Sequence, residues 1–248
     1  MPGEAAPGRP ARAVHGIALR GKLAAACRVL AAAGHEDFTL GHASAREPGA
    51  PRFLLKQSRI GLGETTARDL LLLDLDGHRI EGEGAVPLEL PLHAEIFRAR
   101  PDVNAVVHTH VFQAAAFAAA DAEFRMVSQD SVLFADGPRR YDSARLIATP
   151  ELGRALAAAL GPGRLVILRN HGIAAAGATI EEATYLAIAF ERSLRLQVAA
   201  AAFGPVREIP PDELGHMRRT FDALLEERAQ AMFEFLLRQI AKQDGHAR

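Results

Sequence analysis

The chain contains a single cysteine, Cys27. It therefore can form neither an intrachain disulfide nor a thiolate-rich zinc site, and a reducing cytoplasm suits it. Charge of one sign is equally scarce: 29 Lys and Arg stand against 30 Asp and Glu, for a net charge of -1. Without a broad field to hold phosphate backbones or an anionic leaflet, neither nucleic acid nor a membrane surface is expected as a partner. No basic segment leads into an apolar h-region, and no uninterrupted apolar run reaches about twenty residues. The chain reads as soluble and unexported. Glycine loops of the Walker or dinucleotide-binding type are missing, and so are internal repeats.

What is present is a large apolar fraction, 49% of 248 residues, enough for one full core and better suited to one large domain than to two small ones. Residues 1–13 are rich in Pro, Gly and Ala without apolar periodicity and read as a disordered tail. The domain is expected over 14–240, with 241–248 as a second tail. Apolar residues recur at helical spacing from about Val14 to Ala33 (Leu23, Cys27, Leu30), and Gly34 stands where a left-handed cap would fall. Short strands follow over Phe38 to Ala45, Arg52 to Leu55 and Leu70 to Leu73. A helix over about Pro91 to Arg100, a strand over Ala105 to Thr109 and an Ala-rich helix from about Phe112 come next. After these, the pattern gives a helix over Pro150 to Leu160 and strands over Leu165 to Leu168 and Ile173 to Ala175. Helices over about Ile180 to Ala202 and Asp212 to Gln239 complete the chain. Strands and helices alternate with no composition shift, which predicts a single layered α/β domain.

Three histidines and one glutamate carry the chemistry. Side chains at i and i+2 of a strand share a face, so His108 and His110 project together while Thr109 points away, and two imidazoles so placed can take two positions on one metal. Ten histidines in 248 residues would give roughly 0.4 such pairs by chance, so the pair alone decides little. His171 adds weight. It follows an apolar strand and precedes Gly172, where backbone can turn sharply or approach a ligand closely, although a capped core histidine fits the same pattern. Three neutral imidazoles with an oxygen ligand suit one Zn2+, with Mn2+ or Co2+ also compatible. Glu89 lies in the apolar stretch Leu88-Glu89-Leu90-Pro91, where a carboxylate needs a cation or a donor. Its plainer alternative is a helix-start acid favoured by the macrodipole.

Glu89 and His93, the stretch from Arg98 through Pro101-Asp102 to His108-Thr109-His110, and then Asn170-His171-Gly172 together resemble the class II aldolase/adducin family, over about residues 15 to 205. The resemblance implies a three-layer α/β/α fold with a central, largely antiparallel sheet, and a homotetramer with sites at subunit interfaces. It further implies one divalent metal per subunit held by His108, His110 and His171, with Glu89 as the catalytic proton-transfer residue.

Sugar-phosphate members of that family cradle phosphate with a Gly-Asn-x-Ser loop, a Thr-Pro-Ser-Gly loop and a Pro-Ser-Ser before the glutamate. Here the matching stretches are Gly41-His42-Ala43-Ser44, Lys56-Gln57-Ser58-Arg59 and Val86-Pro87-Leu88. Hydroxyl donors have given way to Pro87 and Leu88, while His42, Lys56 and Arg59 have entered. A small flat carboxylate substrate suits that exchange, because guanidinium forks match carboxylates and apolar walls suit a ring. The pattern resembles the family's decarboxylase branch, which acts on 3,4-dihydroxyphthalate-like acids, and it makes His42, Lys56, Ser58 and Arg59 the expected substrate contacts. Two other readings stay open: an aldolase cleaving a hydroxy-carbonyl or sugar phosphate, and a non-catalytic adducin-like interaction module. Arg46, Lys56 and Arg59 also read as a solvated face, His78 as a turn residue, and His93 as packing beneath the site. Tyr141, Arg169 and Tyr185 are further candidates without a rank.

Overall fold

The computed structural model describes residues 11–246. Its eight strands form one sheet: β1 (His42–Ala45), β2 (Arg52–Lys56), β3 (Leu70–Asp74), β4 (Arg79–Glu81), β5 (Ala105–Thr109), β6 (Arg139–Tyr141), β7 (Leu165–Leu168) and β8 (Gly172–Gly177). Their order is β4-β3-β2-β1-β5-β8-β7-β6, and every pairing is antiparallel except β6 with β7. The helices are α1 (Ala11–Leu30), α2 (Leu90–Ala99), α3 (Phe112–Ala118), α4 (Pro150–Leu160), α5 (Ile180–Phe203), α6 (Pro211–Ala223) and α7 (Leu225–His246).

Period-two alternation along the strands sorts the core into two layers. Ala43, Ala45, Leu54, Val107, Ile167, Ile173 and Ala175 face α1, α3, α5 and α7. Phe53, Leu55, Leu71, Leu73, Val106, Val166, Leu168 and Ala174 face α2 and α4. The three-layer α/β/α architecture with a largely antiparallel sheet is therefore the one the sequence led us to expect. On the second face Phe53 and Phe97 pack at 5.2 Å between ring centroids, both buried. Truncating either to Ala would cost about 3–5 kcal/mol.

Several boundaries differ from the sequence pattern. The structure does not describe residues 1–10 of the expected N-terminal tail, whereas Ala11-Arg12-Ala13, good helix formers, already belong to α1. At the other end α7 continues to His246, through most of the stretch read as a tail, with Ile240 packed on the core as its anchor. Gly34 does adopt the left-handed conformation (φ 90°), closing a short π turn after α1. The strand expected from Phe38 begins only at His42, because Phe38 (φ 50°) and Gly41 (φ 72°) turn the chain. A single C-terminal helix is replaced by α6 and α7, which meet at Leu224 so that Phe221 and Leu225 can both be buried. The edge strands β4 and β6, Arg-Ile-Glu and Arg-Arg-Tyr, carry no apolar alternation to betray them.

Candidate metal centre

The site lies at one end of the central strands. β5 carries His108 in register with His42 of β1 and Ala174 of β8, and His110 follows one residue beyond the strand end. His171 sits in the tight turn between β7 and β8, where Asn170 takes a left-handed φ of 52°. Gly172 is required next to it: a Cβ there would collide with the Thr109 carbonyl oxygen, so no side chain fits between the turn and β5. Glu89 is the residue before α2. Its side chain caps nothing on that helix, and Oε1 accepts instead from the Ile147 backbone N–H at 3.0 Å. Four elements distant in sequence thus converge.

The three imidazole rings form a near-equilateral triangle, with centroids 4.8 Å (His108 to His110), 4.9 Å (His108 to His171) and 4.8 Å (His110 to His171) apart. Glu89 Oε2 lies 3.2 Å from His108 Nε2 and 3.5 Å from His171 Nε2. Burial, together with the neighbouring His108, holds His171 at a pKa of about 4; burial likewise lowers His110, despite the opposing pull of Asp37. Both are neutral bases at ordinary pH. Burial pushes the Glu89 carboxyl up, but positive charge on the His108 and His171 side of the site, together with the Ile147 N–H, outweighs it and holds the group at about 2. Glu89 is a carboxylate.

Hydrogen bonds behind the rings show what the cluster is for. His108 Nδ1 lies 2.9 Å from the Ile173 carbonyl and His110 Nδ1 lies 3.0 Å from Asp37 Oδ2, so each Nδ1 is the donor. Each Nε2 is then a bare lone pair, yet the two Nε2 atoms stand only 3.0 Å apart. Facing lone pairs and an adjacent carboxylate repel unless a cation stands between them, and histidines tethered through the other nitrogen are how proteins present metal ligands. Glu89, His108, His110 and His171 bring one donor atom each to within 4.8 Å of one another. The set fits a divalent cation.

The expected substrate contacts divide. His42 belongs to the site: its ring is 4.9 Å from that of His108 and its Nε2 is 3.9 Å from Glu89 Oε2. Lys56 does not face it. Strand alternation turns Lys56 toward α1, where it is buried and its ammonium donates to the carbonyls of Gln57 (3.1 Å) and Ile60 (2.5 Å). It fixes the loop that carries Ser58 and Arg59. Ser58 is half-buried, its N–H bonded to Ala85; Arg59 is exposed, with φ 70° and no side-chain partner among the described residues. Arg46 is no solvated charge. It is buried, donates to the carbonyls of Arg100 and Val103 beyond α2, and lies over Phe97. His78 caps a turn through Asp74, Arg169 pairs with Asp142, and Tyr141 and Tyr185 are half-buried packing residues. Asp37, which orients His110, and Ser44, which bonds His93, escape sequence reasoning: neither stands in a repeating spacing with the ligands.

Comparison with known proteins places these features in one family. The model of the class II aldolase and adducin N-terminal domain matches residues 21–198. The chain belongs to this family. It is 36% identical over 214 residues to a 3,4-dihydroxyphthalate decarboxylase of Arthrobacter keyseri, covering 80% of this chain and 85% of that one. A second 3,4-dihydroxyphthalate decarboxylase, from Terrabacter sp. (strain DBF63), is 35% identical, with 77% and 85% covered. Among solved structures, the L-fuculose 1-phosphate aldolase of Glaciozyma antarctica PI12 superposes with a TM-score of 0.83 at 23% identity, over 96% of each chain, which speaks for the fold. With this membership and the histidine–glutamate cluster intact, the chain is a metal-dependent lyase.

Proposed function

We propose that the protein decarboxylates a hydroxylated aromatic dicarboxylate of the 3,4-dihydroxyphthalate type, on a domain spanning about residues 14–240. One observation carries this reading: an ionised Glu89 stands beside three converging imidazoles, in a chain whose curated relatives include decarboxylases of that acid. A bound divalent cation, Zn2+ by donor type with Mn2+ or Co2+ compatible, would supply Lewis-acid stabilisation of negative charge on a substrate oxygen.

Because Glu89 starts as a carboxylate, its first act is to accept a proton, the one on the substrate hydroxyl ortho to the departing carboxylate. It then returns that proton to the ring carbon bearing the carboxylate, which makes the keto tautomer. The bond from that carbon to the carboxylate breaks, CO2 leaves, and its electron pair flows through the ring to the carbonyl oxygen, restoring the aromatic phenolate. One proton from water completes the product. Arg59, whose guanidinium has no partner among the described residues, and Ser58 anchor the second carboxylate, while Lys56 holds their loop. Buried Pro87 and exposed Leu88 supply apolar wall where phosphate-binding relatives have hydroxyls.

A homotetramer with sites at subunit interfaces is part of the proposal. Large apolar side chains adjoin the site residues in sequence yet face outward: Phe38 (86% exposed), Leu88 (74%) and Phe112 (78%). A second copy of the chain would bury them. A cytoplasmic location agrees with the lone buried Cys27. Incubating the metal-loaded protein with 3,4-dihydroxyphthalate and with a ketose 1-phosphate tests the substrate. CO2 release from the first is expected, whereas aldehyde from the second alone would overturn the assignment.

A further inference from the structure

Ser44, His93 and His42 form a buried chain that leads into the site. Ser44 Oγ is 2.6 Å from His93 Nδ1, and His93 Nε2 is 2.7 Å from His42 Nδ1. All three side chains lie on the α2 face of the sheet, with Ser44 1% and His93 0% exposed. Each contact needs one proton, and the question is which atom holds it.

The serine decides. A buried hydroxyl hydrogen needs an acceptor, and among the described residues the only atom within reach of Ser44 Oγ is His93 Nδ1. Ser44 therefore donates, and His93 Nδ1 is the acceptor. A neutral imidazole has one N–H, which for His93 must sit on Nε2 and point at His42 Nδ1. Burial keeps His93 neutral, with a pKa lowered to about 3. His42 Nδ1 is thereby an acceptor, and the remaining hydrogen of the His42 ring sits on Nε2. That nitrogen has no hydrogen-bond partner among the described residues and is not sealed off; the side chain keeps 11% of its exposure, and Glu89 Oε2 lies 3.9 Å away.

Two opposite tautomers thus meet in one cavity. His108 and His110 carry their hydrogens at the back, on Nδ1, and offer lone pairs; His42 takes its lone pair to the back and offers a hydrogen. We propose that His42 is an N–H donor to an acceptor oxygen of the substrate, a carboxylate by preference, and that Ser44 and His93 are positioning residues that set its tautomer. With its hydrogen on Nε2, His42 cannot serve as a fourth metal ligand or as the base. The substrate half of this inference rests on the decarboxylase reading; the tautomer half does not.

The test separates the two. Two-bond proton–nitrogen correlation spectra of the 15N-histidine-labelled, metal-free protein report which ring nitrogen of each histidine is protonated. Nε2–H is expected for His42 and His93 and Nδ1–H for His108 and His110; Nδ1–H at His42 would overturn the assignment. Because no substrate is present, the spectra identify the tautomers whether or not 3,4-dihydroxyphthalate is decarboxylated. In Ser44→Ala the serine no longer fixes the chain, so a second tautomer should appear at His42 and His93, and Ser44→Thr should restore the single one. In kinetics with 3,4-dihydroxyphthalate, His42→Leu should raise KM about 10- to 100-fold, the worth of one hydrogen bond to a charged group, with kcat within a few-fold. His42→Asn, which keeps an N–H, should recover most of the loss. An unchanged KM in His42→Leu would remove His42 from the substrate.

Discussion

His108, His110 and Glu89 are each tied from behind, by the Ile173 carbonyl, the Asp37 carboxylate and the Ile147 N–H. Arg59, on the loop over residues 57–60, is tied by nothing among the described residues and stands on left-handed backbone at φ 70°. The first region is stiff because strands and a helix start place its side chains. The second is held through its backbone, by Lys56 on the carbonyls of Gln57 and Ile60 and by the Ser58 N–H on the Ala85 carbonyl, while the Arg59 side chain is left unheld. Under the proposed function the contrast is a division of labour: reacting groups gain from a fixed geometry, whereas a group that discriminates substrates can be left for the ligand to order.

Breaking the stiff region should have the largest effect. The double variant His108→Ala/His110→Ala should lose stoichiometric divalent cation, measured by elemental analysis, and with it all turnover; one cation per chain retained would sink the ligand assignment. Glu89→Gln should keep the cation and lower kcat about 10^2- to 10^4-fold, and near-normal kcat would leave the proton transfer to another group.

Acid should undermine the support behind the cluster next. His35, buried with Nδ1 2.9 Å from Thr109 Oγ1, is depressed by burial from 6.5 to about 4. The unfolded chain then binds the extra proton first, so stability is intact above about pH 6.5 and falls as pH drops from there toward 4. At about 1.4 kcal/mol per unit the loss is about 3 kcal/mol. Denaturant unfolding between pH 7 and 4.5 should show a shallower decline in His35→Gln than in the parent; equal slopes would discharge His35. Smallest of all is the loop: Arg59→Gly should relieve about 1 kcal/mol of backbone strain while raising KM for the aromatic acid. Arg59→Ala should raise KM without the stability gain, and a Tm that falls equally in both would show no strain at that position.

The same contrast explains what could be read from sequence. The stretches Ala105–Thr109 and Leu165–Leu168 are short, apolar and bounded by turn signals, so strands carrying His108 and preceding His171 were legible from local pattern. Partners recruited across the fold were not. Asp37 is an ordinary polar residue until His110 arrives beside it, and Ile147 contributes a backbone group that no side chain announces. Lys56 shows the reverse error. Its place in a family motif suggested a substrate contact, but which face of β2 it occupies depends on register, and register turned it toward α1. Arg46 likewise looked solvated because the carbonyls it caps lie more than fifty residues away.

Cys27 has a practical consequence of its own. It is fully buried in α1, and burial pushes its thiol up to about 12, so almost no thiolate exists at neutral pH to react. The protein is in effect cysteine-free toward alkylating reagents without any substitution. A cysteine introduced in place of Phe38 or Phe112 would then be the one reactive thiol in the chain, and its protection from alkylation would report whether a second copy of the chain covers that surface.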